Sequence, residues 1–285
     1  MKYLYSIIPA IILAYILVMI FVYFYQRNLL YHPKENNYAG DTTEFDYKEV
    51  FIEVEQDIKI KSWFIEKNLK KSKTIIFFHG NAGDLSNRIH KLNKLNNLNS
   101  NVLLISWRGF NNNPGKPTEK NLYQDARKSI EWLNSRGIKN KDIILYGESL
   151  GTGVATELAQ SNSFHGIILE SPFTSIADAA KIYYPYLPVN LLLKDRYDSI
   201  KKIKNIKIPV LIMHGKKDNI VPFFMGEKIY QMANEPKYKY FSEEDDHMME
   251  FNLSLIHISE PTRQAEISDA GFGLEKKGGG GGGGG

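Results

Sequence analysis

Residues 143–160, IILYGESLGTGVATELAQ, decide how this chain folds. Four apolar residues, Ile143 to Tyr146, read as the end of a strand running from Asp142 to Tyr146. From Leu150 to Gln160 the pattern is helical. Between them lies Gly147-Glu148-Ser149-Leu150-Gly151. A sharp strand-to-helix turn needs small residues on either side of the serine so that its hydroxyl stands clear of the backbone at the carboxyl edge of a sheet. The helix start adds unpaired N–H groups and a positive dipole end, which favour negative charge developing beside Ser149. An ordinary glycine-rich turn could carry the same five letters. The strand before them and the helix after them make Ser149 the candidate nucleophile.

Outward from this point, apolar runs bounded by turn residues alternate with longer helical patterns. That alternation predicts a mostly parallel sheet with crossover helices. Strands are predicted at Lys48–Val54, Ile58–Ile65, Thr74–Phe78, Asn101–Trp107, Asp142–Tyr146, Gly166–Leu169, Pro209–Met213 and Tyr238–Phe241, the first two as an antiparallel entry. Helices are predicted at Leu85–Leu98, Glu119–Arg136, Leu150–Gln160 and Phe224–Ala233, each between two strands. The aromatic stretch from Thr174 to Ile203 interrupts the alternation. It reads either as a cap over a pocket or as a cluster packed on the sheet.

A second motif, His79-Gly80-Asn81-Ala82-Gly83, directly follows the strand TIIFF. Acyl transfer builds an alkoxide that needs two preorganised N–H groups, and Asn81 and Leu150 are the candidate oxyanion-hole donors. If an acid and a base follow the serine in the chain, Asp218 and His247 are the candidates. Asp218 lies in the loop after PVLIM, and His247 lies in SEEDDHMM after YKYF. Asp245 and Asp246 also flank His247, but a carboxylate so near in sequence is poorly placed to aim the ring at a distant serine. His214 ends a strand and His165 precedes one, positions that suit local packing or surface.

Both ends depart from ordinary globular sequence. Residues 3–26 carry no charge and are long enough to cross a bilayer core, with Lys2 and Arg27 bracketing them. The exit Phe21 to Arg27 lacks the small residues of a signal-peptide cleavage site, so the segment reads as an uncleaved transmembrane anchor. Residues 27–46 read as a juxtamembrane linker. Lys2 and the amino terminus against Arg27 and Lys34 leave the two orientations evenly matched under the positive-inside rule. At the other end, LSLIHISEPTR, QAE, ISDAGFGLEKK and eight glycines read as translated sequencing adapter rather than as a glycine-rich tail. Residues 253–285 are therefore set apart from the functional reading. Their three basic and four acidic residues barely alter the net charge of +4.

Composition narrows the chemistry. Zero cysteines exclude disulfides, thiolate nucleophiles and Cys-ligated zinc. The modest positive charge is scattered rather than gathered into a stripe, which argues against nucleic-acid binding. Glu243, Glu244, Asp245 and Asp246 read as a solvated loop rather than a calcium site, and no metal cluster is expected.

HGNAG, SWRGF, PGKPTEKNLYQDA, GESLG, ESPFTS, GKKDNIVP and the late histidine together resemble the α/β-hydrolase superfamily over residues 47–252. With the anchor, they are similar to single-pass α/β-hydrolases that include eukaryotic protein depalmitoylases and related bacterial enzymes. The resemblance implies an α/β-hydrolase fold with a mostly parallel eight-stranded sheet, helices on both faces and one preceding transmembrane helix. It implies Ser149, Asp218 and His247 as a triad working through an acyl-enzyme, with no metal or organic cofactor. The expected substrates are small-molecule, lipid or acylated-protein esters or thioesters at a membrane. The acidic approach to His247 departs from the family pattern. So does the end of the hydrolase text at Asn252, where a terminal helix is expected, and the domain reads as C-terminally truncated. The residues equally admit a membrane-bound serine peptidase. A noncatalytic binding module on this fold is expected to lack a triad member, and all three are present.

Overall fold

The computed structural model describes residues 2–33, 42–69 and 72–249, with side chains of the first helix described from Ile7 onward. The expected adapter segment 253–285 and residues 34–41 of the expected linker lie outside the described residues.

Eight strands form one sheet: β1 Lys48–Glu55, β2 Ile58–Ile65, β3 Thr74–Phe78, β4 Asn101–Ile105, β5 Ile143–Glu148, β6 Gly166–Glu170, β7 Val210–Gly215 and β8 Lys237–Ser242. Their order is β1-β2-β4-β3-β5-β6-β7-β8. β1 and β2 pair antiparallel, as do β2 and β4, and every later pair is parallel. The helices are α1 Lys2–Leu30, α2 Ile89–Asn96, α3 Glu119–Asn134, α4 Leu150–Ala159, α5 Ile176–Tyr183, α6 Val189–Leu192, α7 Ser199–Lys202 and α8 Phe223–Met232.

The two-residue period of a strand sends alternate side chains into two cores. In β3, Ile76 and Phe78 join the core under α3, α4 and α8, whereas Ile75 and Phe77 join the one under α2. α3 begins where the Thr118 hydroxyl accepts the Asn121 N–H at 3.1 Å. Its Leu122, Ala126, Ile130 and Leu133 then form the buried face.

Some boundaries differ from the sequence expectation. β4 stops at Ile105, because the Trp107 indole turns to donate to the His79 carbonyl and the Arg108 N–H is taken by Asp125. The helix expected from Leu85 begins at Ile89. Before it, residues 86–88 wind as a tighter 3₁₀ turn, and Asp84 accepts the Ser86 N–H. α1 continues past Gln26 to Leu30, because Arg27 finds a carboxylate partner in Asp195.

Chain order places β3 between β4 on one side and β5 on the other, so the crossovers diverge at this point. Open α/β sheets leave a crevice beyond the carboxyl ends of the strands at such a switch point. Register brings the strand ends level, with Phe78 opposite Gly147 and Glu148 opposite Glu170.

Candidate active site

Ser149 occupies the turn between β5 and α4 with φ of 49°, a left-handed conformation costly for a residue with a side chain. The flanking glycines explain how the turn closes. A Cβ on Gly151 would lie 1.9 Å from the Phe78 carbonyl oxygen, and one on Gly147 would lie 2.6 Å from the Gly151 carbonyl oxygen. The Ser149 N–H is held by the Glu170 carbonyl at 2.9 Å.

His247 Nε2 lies 3.0 Å from Ser149 Oγ, and His247 Nδ1 lies 2.8 Å from Asp218 Oδ2. The other carboxylate oxygen, Oδ1, accepts the N–H groups of Ile220 and Val221 at 2.9 and 2.8 Å. Burial pushes the Asp218 carboxyl upward, but hydrogen bonds from His214 and His247 outweigh it and hold the group well below the usual carboxylate range. An ionised Asp218 accepts only, so His247 Nδ1 carries the proton and Nε2 is left to accept from the serine. The Ser171 hydroxyl donates to the His247 carbonyl at 3.0 Å and anchors the loop. Asp246 accepts the Met248 N–H, while Glu243 and Glu244 pair with Lys216 and Lys217. The acidic run thus serves its own loop and its neighbours.

His214 is where sequence reasoning missed a contact. Its Nε2 lies 3.1 Å from Asp218 Oδ2 and 2.9 Å from the Val221 carbonyl. A carbonyl only accepts, so Nε2 carries the proton and donates to both. The signal available was a histidine four residues before the aspartate at a strand end. A second group unforeseen in the sequence lies beneath the elbow. Glu148 pairs with Arg88 and Lys91, each at 2.8 Å, and Lys91 also reaches Glu170 at 2.6 Å. Tyr146 donates to Glu170 at 2.5 Å. Burial raises the pKa of Glu148, and the two cations outweigh that and keep it ionised.

Asn81 and Leu150 line the same cavity as Ser149. Leu150 is the first residue of α4, so its N–H has no carbonyl one turn back within the helix. Asn81 is braced by the end of α1. Its carbonyl takes the His32 N–H at 2.8 Å, and its side-chain amide donates to the Leu30 carbonyl at 2.8 Å.

Two cavities meet at Ser149. One, of about 490 Å³, has the polar side chains of Asn81, Arg88, Glu148 and His247 in its lining. The other, of about 270 Å³, includes Leu150, Phe173, Ile176, Ala180, Leu187 and Val221, with Val22, Gln26, Leu29 and Leu30 of α1 also lining it. The aromatic stretch forms a cap here rather than a sheet-packed cluster, since Tyr183, Tyr184 and Tyr186 are exposed.

Residues 73–190 match the family model described as the alpha/beta hydrolase fold. An uncharacterized protein of Mycobacterium tuberculosis is 35% identical over 223 residues, covering 77% of this chain and 79% of the relative. The chain belongs to the α/β-hydrolase family. Protein bem46 of Schizosaccharomyces pombe is 30% identical to this hydrolase, over 78% of this chain and 79% of the relative. The lysophosphatidylserine lipase ABHD12 of Danio rerio is 34% identical over 64% of this chain, a match that spans 53% of that protein. Among solved structures, an esterase of Pyrococcus furiosus superposes with a TM-score of 0.61 at 20% identity, over 76% of this chain and 91% of that one. That likeness is one of fold.

Proposed function

We propose that this hydrolase is a membrane-anchored serine hydrolase that cleaves carboxylic ester or thioester bonds. The observation that carries the reading is the continuous relay from Asp218 through His247 to Ser149. In the first step His247 Nε2 takes the hydroxyl proton as Ser149 Oγ bonds to the substrate carbonyl carbon, and the carbonyl oxygen becomes an alkoxide facing the N–H groups of Asn81 and Leu150. Collapse re-forms the carbonyl and breaks the bond to the leaving oxygen or sulfur, which takes the proton from His247. Water then repeats the sequence on the acyl-enzyme, releasing the acid and restoring the Ser149 hydroxyl. Asp218 keeps the imidazole in the required tautomer and stabilises the imidazolium.

Membrane anchoring is supported by α1, whose most apolar 18-residue window within Ile7–Leu30 has a mean hydropathy of 2.8. Its apolar side chains are largely exposed, Phe24 by 75% and Ile11 by 62%, which suits lipid rather than water. A cleaved leader fits poorly, because Gln26, Arg27 and Leu30 make specific bonds to the hydrolase domain that cleavage would remove. Lipid or acylated-protein esters fit an apolar cavity beside the serine, and one relative is named a lipase. The test is a panel of matched esters, thioesters and amides assayed with the full-length protein and with Ser149→Ala. Turnover of esters or thioesters that is lost in the variant is expected. Equal turnover by Ser149→Ala would overturn the reading.

A further inference from the structure

The cavity beside Ser149 is closed on one side by the membrane helix itself. Val22, Gln26, Leu29 and Leu30 of α1 line it together with Ile176, Ala180 and Leu187 of the cap. No Asp, Glu, Lys, Arg or His side chain is among the described residues that line it. A space so lined takes up hydrocarbon favourably and offers no countercharge to an ionised group.

The helix is held in this position by directional bonds. The Gln26 amide donates to the Leu192 carbonyl at 3.0 Å and accepts the Lys194 N–H at 2.7 Å. Arg27 grips Asp195 with two bonds of 2.8 and 3.1 Å, and the Tyr31 hydroxyl lies 3.2 Å from the same carboxylate. Eleven residues back along α1, about 17 Å at the rise of a helix, the Tyr15 hydroxyl donates to the Tyr186 carbonyl at 2.7 Å. The cap therefore runs alongside the apolar helix. Its outward side chains are large and apolar, with Leu191 exposed by 81% and Tyr186 by 65%. Tyrosine and leucine in that setting suit the boundary between headgroups and acyl chains.

We propose that α1 is a wall of the acyl-chain site: the long acyl chain of a membrane-resident ester lies between Val22 and Leu29 of the anchor and the cap, with its carbonyl at Ser149. The anchor then determines chain-length preference as well as location. This rests on Ser149 being the nucleophile. Filling the groove from the helix side, with Leu29→Trp or Val22→Trp, is expected to lower the ratio of kcat/KM for 4-nitrophenyl decanoate to that for the acetate by at least tenfold. Leu17→Trp, on the exposed side of the same helix, is expected to leave the ratio as it was. An unaltered ratio in both groove variants overturns the proposal.

A second measurement on the unaltered full-length protein in vesicles needs no variant to fold. A decyl fluorophosphonate with a terminal diazirine is reacted and then irradiated, and cross-linked peptides are mapped by mass spectrometry. Displacement of fluoride by Ser149 Oγ leaves the chain tip where the acyl chain would lie. Cross-links within residues 22–30 are expected. An adduct on Ser149 whose cross-links all fall outside α1 overturns this proposal alone. Failure of the probe to react at Ser149 overturns the catalytic reading and this proposal with it.

Discussion

Asp218 Oδ2 stands between two imidazoles, 2.8 Å from His247 Nδ1 and 3.1 Å from His214 Nε2. The first contact aims the ring that faces Ser149. The second, from a buried side chain whose Nε2 also donates to the Val221 carbonyl, prevents the carboxylate from rotating away. In the proposed triad this geometry favours Asp218 for the orienting task over Asp245 and Asp246.

Asp218→Asn is therefore expected to lower kcat on an ester substrate by several orders of magnitude, because an amide can present an N–H to Nδ1 and favour the wrong tautomer. Asp245→Asn and Asp246→Asn are expected to retain most of the turnover. Steady-state kinetics on the three variants checks this. Loss in Asp245→Asn with Asp218→Asn unaffected would reverse the assignment.

In the proposed triad, His214 would act through Asp218 as a positioning residue. His214→Phe removes the second donor and is expected to lower kcat about tenfold with KM nearly constant, since the hydrogen bond restrains the relay rather than the substrate. His214→Gln, which can donate from a similar position, should recover part of the loss. Equal changes in KM and kcat, with no difference between the two variants, would assign His214 a purely structural role.

The charges under the elbow carry a stability expectation. Lys91 bridges the buried Glu148 and Glu170, and Arg88 also pairs with Glu148, so Lys91→Met leaves two carboxylates with one cation. Breaking a buried pair in this way costs about 3–5 kcal/mol. In a chain of this size that lowers the melting midpoint on the order of 10 °C. Thermal denaturation of the two proteins side by side measures it, and a shift of only a degree or two would mean that the network adds little.

Burial, aided by the nearby Arg88 charge, lowers the pKa of His79 from 6.5 to about 3. The unfolded chain therefore binds a proton in that interval that the folded one does not. The resulting stability is fully present above 6.5 and is lost as pH falls toward about 3, with a slope of about 1.4 kcal/mol per pH unit. Denaturant titrations across that range are expected to be flatter for His79→Gln. Identical slopes in the two proteins would remove His79 as the cause.

Much of this was legible because it is local. The β5–α4 turn declares itself within five residues, and Asp218 and His247 each follow an apolar strand, so parallel pairing alone brings them to one edge. Other features depend on distances that sequence patterns do not carry. Lys91 meets Glu148 across 57 residues and Gln26 meets Leu192 across 166, and neither partner has a pattern that points to the other. The apolar helix α1 offers the sharpest case. A helix apolar on every side gives no sign of which side meets protein, so neither the cavity face of Val22 and Leu29 nor the run of α1 to Leu30 could be read in advance. His214 was passed over because packing at a strand end is the commoner role for a histidine there.

The central claim is that Ser149 is an activated nucleophile. Reaction of the folded, full-length protein with a simple alkyl fluorophosphonate, followed by intact mass and peptide mapping, tests it most directly. One adduct per chain on the peptide containing Ser149, absent from Ser149→Ala and strongly slowed in His247→Ala, is the expected result. Folded protein that stays unmodified, or that is modified equally well after Ser149→Ala, would contradict it.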